Sequence, residues 1–203
     1  MSFYRSPLSI SAFDAKFEAQ KIAFAPISFQ VARCLLKFNV LQLISDCGSK
    51  GCNISDLAKQ SVLSEYALGV LVDMGMSMGL LYLNEEAYVL DKIGHFLLHD
   101  DMAQTNLNFT HDVCYQGLFE LEASLLEGKP KGLASLGDWQ TIYPGLSQLP
   151  DDIKKSWFEF DHFYSDVAFP EVLPMVFDDA TKHIVDVSLQ ILQEEQQVYD
   201  KIS

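Results

Sequence analysis

LQLISDCGSKGCNISDLAKQSVLSEYALGVLVDMGMSMGLLYLNEEAYVLDKIGHF, residues 41–96, holds the pattern on which the fold turns. Leu41 and Ile44 end an apolar stripe that begins at Val31 and passes through Leu35 and Phe38. That spacing predicts a helix from about Phe29 to Asp46, stopped ahead of Gly48 and Gly51. Asn53 or Ser55 can cap a short helix, Asp56 to Gln60. Ser64 then opens a third, through Leu68, Leu71, Val72 and Met76, which Gly79 stops. Leu80–Leu83 and Tyr88–Leu90 flank the polar residues Asn84-Glu85-Glu86, the pattern of a hairpin. A further helix follows from Asp91 or Lys92 through Ile93, Phe96 and Leu97.

Helix, short helix, turn, helix, hairpin is the order of a winged helix-turn-helix. Upstream, Phe13, Phe17, Ala19, Ile22, Ala23 and Phe24 fall at helical spacing, with Pro26 expected to break the segment. Downstream, a helix is expected from Leu107 to Leu126, ended by Gly128-Lys129-Pro130-Lys131-Gly132. Leu133 to Pro150 reads as loop, and Asp151 or Asp152 caps a helix bearing Trp157, Phe158, Phe160, Phe163 and Tyr164. Pro170 and Pro174 should bracket a shorter one. The fold class is mainly α: a winged helix-turn-helix with a small hairpin, then a helical segment.

The 203 residues suffice for one domain and a fraction. No stretch reaches the roughly 18 uninterrupted apolar residues of a membrane span. Arg5, Asp14, Lys16, Glu18 and Lys21 interrupt the first thirty positions, so no secretory signal is legible and a cytoplasmic address is expected. Cys34, Cys47, Cys52 and Cys114 form no CxxC pair and are expected as free thiols. A formal charge of −14 disfavours non-specific binding to nucleic acid or anionic membrane. Ser64 to Gly79 carries Glu65 and Asp73 and no basic residue, which argues against a base-reading helix.

The runs Leu41-Gln42-Leu43-Ile44, Ile54-Ser55-Asp56-Leu57-Ala58, Leu68 to Leu81 and Tyr88-Val89-Leu90-Asp91-Lys92-Ile93-Gly94 together resemble the N-terminal module of the O-methyltransferases that include plant phenolic and bacterial polyketide enzymes. The resemblance spans about residues 20–187. It implies a winged-helix module that builds an interlocked homodimer, a helical lid over an acceptor pocket, and a Rossmann-like domain that binds S-adenosylmethionine. Lys182-His183-Ile184-Val185-Asp186-Val187 looks like the first strand of that last domain. The family's glycine-rich cofactor loop should follow, because its missing side chains let the backbone turn sharply. Here Ser188-Leu189-Gln190-Ile191-Leu192 follows instead, and Gly145 is the last glycine.

The Rossmann-like domain is therefore expected to be missing, and the chain is expected neither to hold S-adenosylmethionine nor to methylate alone. The expected division is 1–100 for the N-terminal helices and winged-helix dimerisation domain, 101–182 for the lid, and 183–203 for a strand remnant and an unrelated tail. Alternatives are half of an enzyme completed by a separate domain, and a non-enzymatic ligand-binding or transcriptional regulator. Homodimer contacts are expected from Phe13, Phe17, Ile22, Phe24, Ile27 and Phe29, which would make a large apolar patch on a monomer. The resemblance places a small aromatic acceptor against Trp157, Phe160, His162, Phe163 and Tyr164, with Asp166 as a further polar contact. No catalytic or cofactor-binding residue is assigned. No metal ligand is either: His95 and His99 stand four apart, but the Glu of HExxH is absent. A Ser165, Asp166, His162 hydrolytic set lacks the strained elbow a serine nucleophile needs.

Overall fold

A computed structural model describes residues 9–176. The strand expected at Ile184 to Val187 and the helical tail from Leu189 to Ile202 lie outside the described residues. The chain divides into two compact units, with the boundary between Asp101 and Met102.

The first unit is helical with a small two-stranded antiparallel sheet. It contains α1 (Ala12–Lys37), α2 (Val40–Asp46), α3 (Ile54–Gln60), α4 (Glu65–Ser77), β1 (Leu81–Asn84), β2 (Ala87–Leu90) and α5 (Lys92–His99). Four of the five helices begin with a side-chain cap. Ser11, Asn53, Ser64 and Asp91 each accept a backbone N–H of the first turn, satisfying a donor the helix leaves unpaired. Asn53, rather than Ser55, therefore sets the start of α3.

Two helix boundaries depart from the sequence expectation. α1 runs through Pro26 without a break and ends at Phe38, whose N–H donates to the Cys34 carbonyl, while the Asn39 N–H donates to the Leu36 carbonyl. The stop falls at Asn39, with φ at 56° in the left-handed region that Asn tolerates better than most residues. A proline deletes one hydrogen bond and crowds one carbonyl. A residue at positive φ cannot continue the helix at all. Hence the expected helix Phe29 to Asp46 is the end of α1 and the whole of α2, bent by 59°.

β1 and β2 pair in the register Leu81↔Leu90, Tyr82↔Val89, Leu83↔Tyr88 and Asn84↔Ala87. Glu85 enters the two-residue turn at φ 55°. Cys52 adds a bridge to this hairpin: its N–H donates to the Tyr88 carbonyl at 3.0 Å and its carbonyl accepts the Tyr88 N–H at 2.8 Å. Leu35, Val40, Leu41, Ile44, Leu57, Leu68 and Val72 are fully buried and fill the centre. At full burial each such side chain contributes about 1.5–3 kcal/mol.

Gly94 lets α5 lie against the hairpin. A Cβ there would strike the Leu80 carbonyl and sit 2.7 Å from Leu90 Cδ1. Cys47 and Cys52 are joined as a disulfide with Cα atoms 6.0 Å apart, so the free thiols expected at these positions are corrected. The short 3-10 turn Gly48–Lys50 and Gly51 at φ 71° fold the loop back far enough for the two to meet. Both sulfurs lie near the Leu43 carbonyl oxygen, at 3.3 and 3.5 Å, as contacts only, because disulfide sulfur carries no proton. Cys34 and Cys114 are free.

The second unit contains α6 (Asp101–Phe109), a π-helical turn (Thr110–Cys114), 3-10 turns at Gly117–Glu120, Lys131–Ser135 and Tyr143–Gln148, α7 (Leu121–Glu127) and α8 (Asp151–Val176). The single helix expected over Leu107 to Leu126 is thus divided. A π-turn widens the ladder to i→i+5, and the chain then tightens to 3-10 pairing where Gly117 packs against Gly132. The predicted loop Leu133 to Pro150 holds most of two 3-10 turns. α8 continues through Pro170 and Pro174, so the separate short helix is also corrected.

Among the described residues no single helix is long and apolar enough to cross a membrane. α1 and α2 pass that test only as a bent pair.

Candidate functional site

Two features of the described residues suit molecular contact: the outer half of α1, and the face where α6 and the π-turn meet α8.

α1 divides into halves of opposite character. Ala32 and Leu35 are buried near its C-terminus. Every described residue from Ser9 to Ile27 is exposed, with Phe13 at 79%, Phe17 at 56%, Ile22 at 76%, Phe24 at 55% and Ile27 at 52%. Phe29, grouped with them from the sequence, is half-buried. Lys21 pairs with Glu18 at 2.8 Å and stands 4.9 Å over the Phe17 ring.

In the second unit, three contacts describe an antiparallel pairing with α8. Tyr164 Oη donates to Asn106 Oδ1 at 2.8 Å, Phe109 stacks on Phe160 with centroids 4.0 Å apart, and Ser156 Oγ donates to Asp112 Oδ2 at 2.5 Å. Trp157 meets Phe109 edge-on at 5.8 Å and donates from Nε1 to Asp161 Oδ2 at 3.0 Å. The candidate pocket residues thus fall into groups. Trp157 and Phe160 share one aromatic cluster with Phe109, and Tyr164 touches both Phe160 and Phe163. His162 Nδ1 lies 3.4 Å from Asp166 Oδ1 on the same helix. Trp157, Phe160, His162 and Phe163 are half-buried, and Tyr164 and Asp166 are exposed.

Trp157 also lines an open apolar cleft of about 310 Å³, shared with Val113, Leu118, Leu121, Leu133 and Ile142. Ser165 Oγ donates to the Asp161 carbonyl at 2.6 Å, so it makes no nucleophile–base pair with His162. The His95 and His99 rings lie 4.6 Å apart. Among the described residues no group of three His, Cys, Asp or Glu side chains could hold a metal.

Sequence reasoning missed His111, Asp112 and Ser156. Asp112 Oδ1 lies 2.7 Å from His111 Nδ1 while its other oxygen accepts from the buried Ser156. Nearby, burial pushes the Cys114 thiol up from its ordinary pKa.

Residues 16–88 match the family model of the Dimerisation2-like domain, and the fold is similar to the corresponding part of several S-adenosylmethionine-dependent methyltransferases. The methyltransferase SibL in its apo form superposes with a TM-score of 0.63 at 18% identity, over 75% of this chain and 45% of SibL. The pyocyanin biosynthetic protein PhzM gives 0.60 at 15% identity, over 82% and 48%. The N,N-8-amino-8-demethyl-D-riboflavin dimethyltransferase RosA from Streptomyces davawensis gives 0.57 at 19% identity, over 83% and 49%. The chain spans about half the length of these structures, and at such identities the likeness is one of fold. No curated protein matches the sequence.

Proposed function

We propose that this chain supplies homodimerisation, through a winged-helix module and the outer half of α1, together with one wall of a pocket for a small aromatic acceptor in an O-methyltransferase-like protein. The observation that carries the reading is the run Phe13, Phe17, Ile22, Phe24 and Ile27, exposed on a helix whose other end is built into the core. Soluble chains rarely leave so many large apolar side chains of one helix bare. A symmetric pair in which each α1 lies on the other copy covers it twice with one set of contacts.

The pocket wall in this reading is the α6–α8 face, with Trp157, Phe160, Phe163 and Tyr164 as flat surfaces and His162 and Asp166 as polar handles. Methyl transfer itself requires an S-adenosylmethionine site, and no described residue is assigned to one. The likeness in fold to SibL, PhzM and RosA favours a methyltransferase-type module over a DNA-binding regulator. The acidic α4 supports the same choice, because it offers phosphates no counter-charge.

Sedimentation equilibrium at tens of micromolar tests the reading. The expected mass is twice 22.8 kDa. A monomer at that concentration overturns it.

A further inference from the structure

π-helical turns are rare and concentrate at functional positions, because the extra residue re-aims side chains at the cost of regular hydrogen bonding. Thr110–Cys114 is such a turn, and it carries His111 and Asp112. The Asp112 side chain is 16% exposed and Ser156 is 5% exposed, so the carboxylate is largely withdrawn from water. One oxygen accepts the Ser156 hydroxyl at 2.5 Å and the other faces His111 Nδ1 at 2.7 Å. An ionised carboxylate can only accept. Facing an ionised carboxylate, the neutral ring carries its proton on Nδ1 and keeps the Nε2 lone pair. No hydrogen-bond partner of Nε2 occurs among the described residues, and the His111 side chain is 36% exposed. The Tyr115 ring lies 24° from parallel to the imidazole with centroids 6.5 Å apart.

We propose that His111 is a ligand-contacting residue that accepts a hydrogen bond at Nε2 from the hydroxyl of a small planar aromatic, with Asp112 and Ser156 as its positioning residues. This rests on the acceptor-pocket reading above. Pinning the π-turn to α8 needs only the Ser156–Asp112 bond, and an apolar pair would do that without desolvating a charge. The second carboxylate oxygen does something packing does not require. It fixes one tautomer and one orientation of a ring that solvent can reach.

The test uses the full chain with ¹⁵N-labelled histidine and 4-nitrophenol, kept below the pH at which the phenol ionises. In the free protein His111 should show the Nδ1–H tautomer. Titration should move its Nε2 resonance. His111→Phe keeps a ring and removes the acceptor, and should weaken binding about tenfold, the worth of one hydrogen bond of roughly 1.4 kcal/mol. Asp112→Asn can donate its amide N–H to Nδ1, which inverts the tautomer and should weaken binding comparably with the circular dichroism unchanged. A purely structural role for Asp112 would not invert it. Nitrobenzene, planar but without the hydroxyl, should bind more weakly than nitrophenol. Equal binding of the two, or an unmoved Nε2 resonance on saturation, overturns the role of His111 and leaves the pocket standing. Failure of both compounds to bind overturns the inference together with the pocket reading.

Discussion

Replacing Phe17 and Ile22 by alanine separates a helix that is merely exposed from one that is an interface. Within a single chain the two side chains are 56% and 76% exposed, so truncating them removes little intramolecular packing. Alanine has the highest helix propensity, gaining about 0.5 kcal/mol over Phe or Ile at an unconstrained position. The isolated fold should therefore be unharmed. In a two-fold dimer the same change occurs twice. If the partner covers the area now exposed, four truncations forfeit roughly 4–8 kcal/mol at about 1.5–3 kcal/mol per fully buried side chain. At about 1.4 kcal/mol per decade, Kd rises by roughly three to six orders of magnitude. Sedimentation velocity over nanomolar to millimolar concentrations measures the shift, and circular dichroism checks the fold. A variant that dimerises within a few-fold of the parent would show that α1 is not the interface.

Two further outcomes follow from the packing. Gly94→Ala places a methyl against the Leu80 carbonyl and Leu90, and should cost about 1–3 kcal/mol or more in urea unfolding, because a backbone group cannot swing aside. An unchanged midpoint would mean that α5 shifts freely on the hairpin. Thiol titration of the unreduced, denatured chain should count two groups, Cys34 and Cys114, with Cys47 and Cys52 bonded to each other. A count of four would refute the pairing.

The hairpin and α4 were legible because local chemistry and tertiary demand agree there. Leu81 and Val89 are buried while Tyr82 and Leu83 are more exposed, and Ser64 caps where the apolar period starts. The helices passing through Pro26, Pro170 and Pro174 were not legible, because a proline signals a stop locally while the surrounding turns can outvote one lost hydrogen bond. The break at Asn39 leaves almost no trace in composition. The Cys47–Cys52 pair depends on the return made by Gly48–Lys50 and Gly51, which spacing alone does not reveal. Asp112 and Ser156 stand 44 residues apart. Only the antiparallel pairing of α6 and the π-turn with α8 joins them, and no periodicity in either segment announces a polar contact.

The division of α1 has a consequence for how the molecule survives. One end of a rigid 26-residue rod is mortared into the core at Ala32 and Leu35, while the other stands in solvent. Whatever grips the free end also holds the core, since a continuous helix transmits restraint along its length. Binding to the folded form alone stabilises it by mass action. The melting temperature of this chain should then report how much partner is present as well as how well the core is packed, and dilution becomes a denaturant.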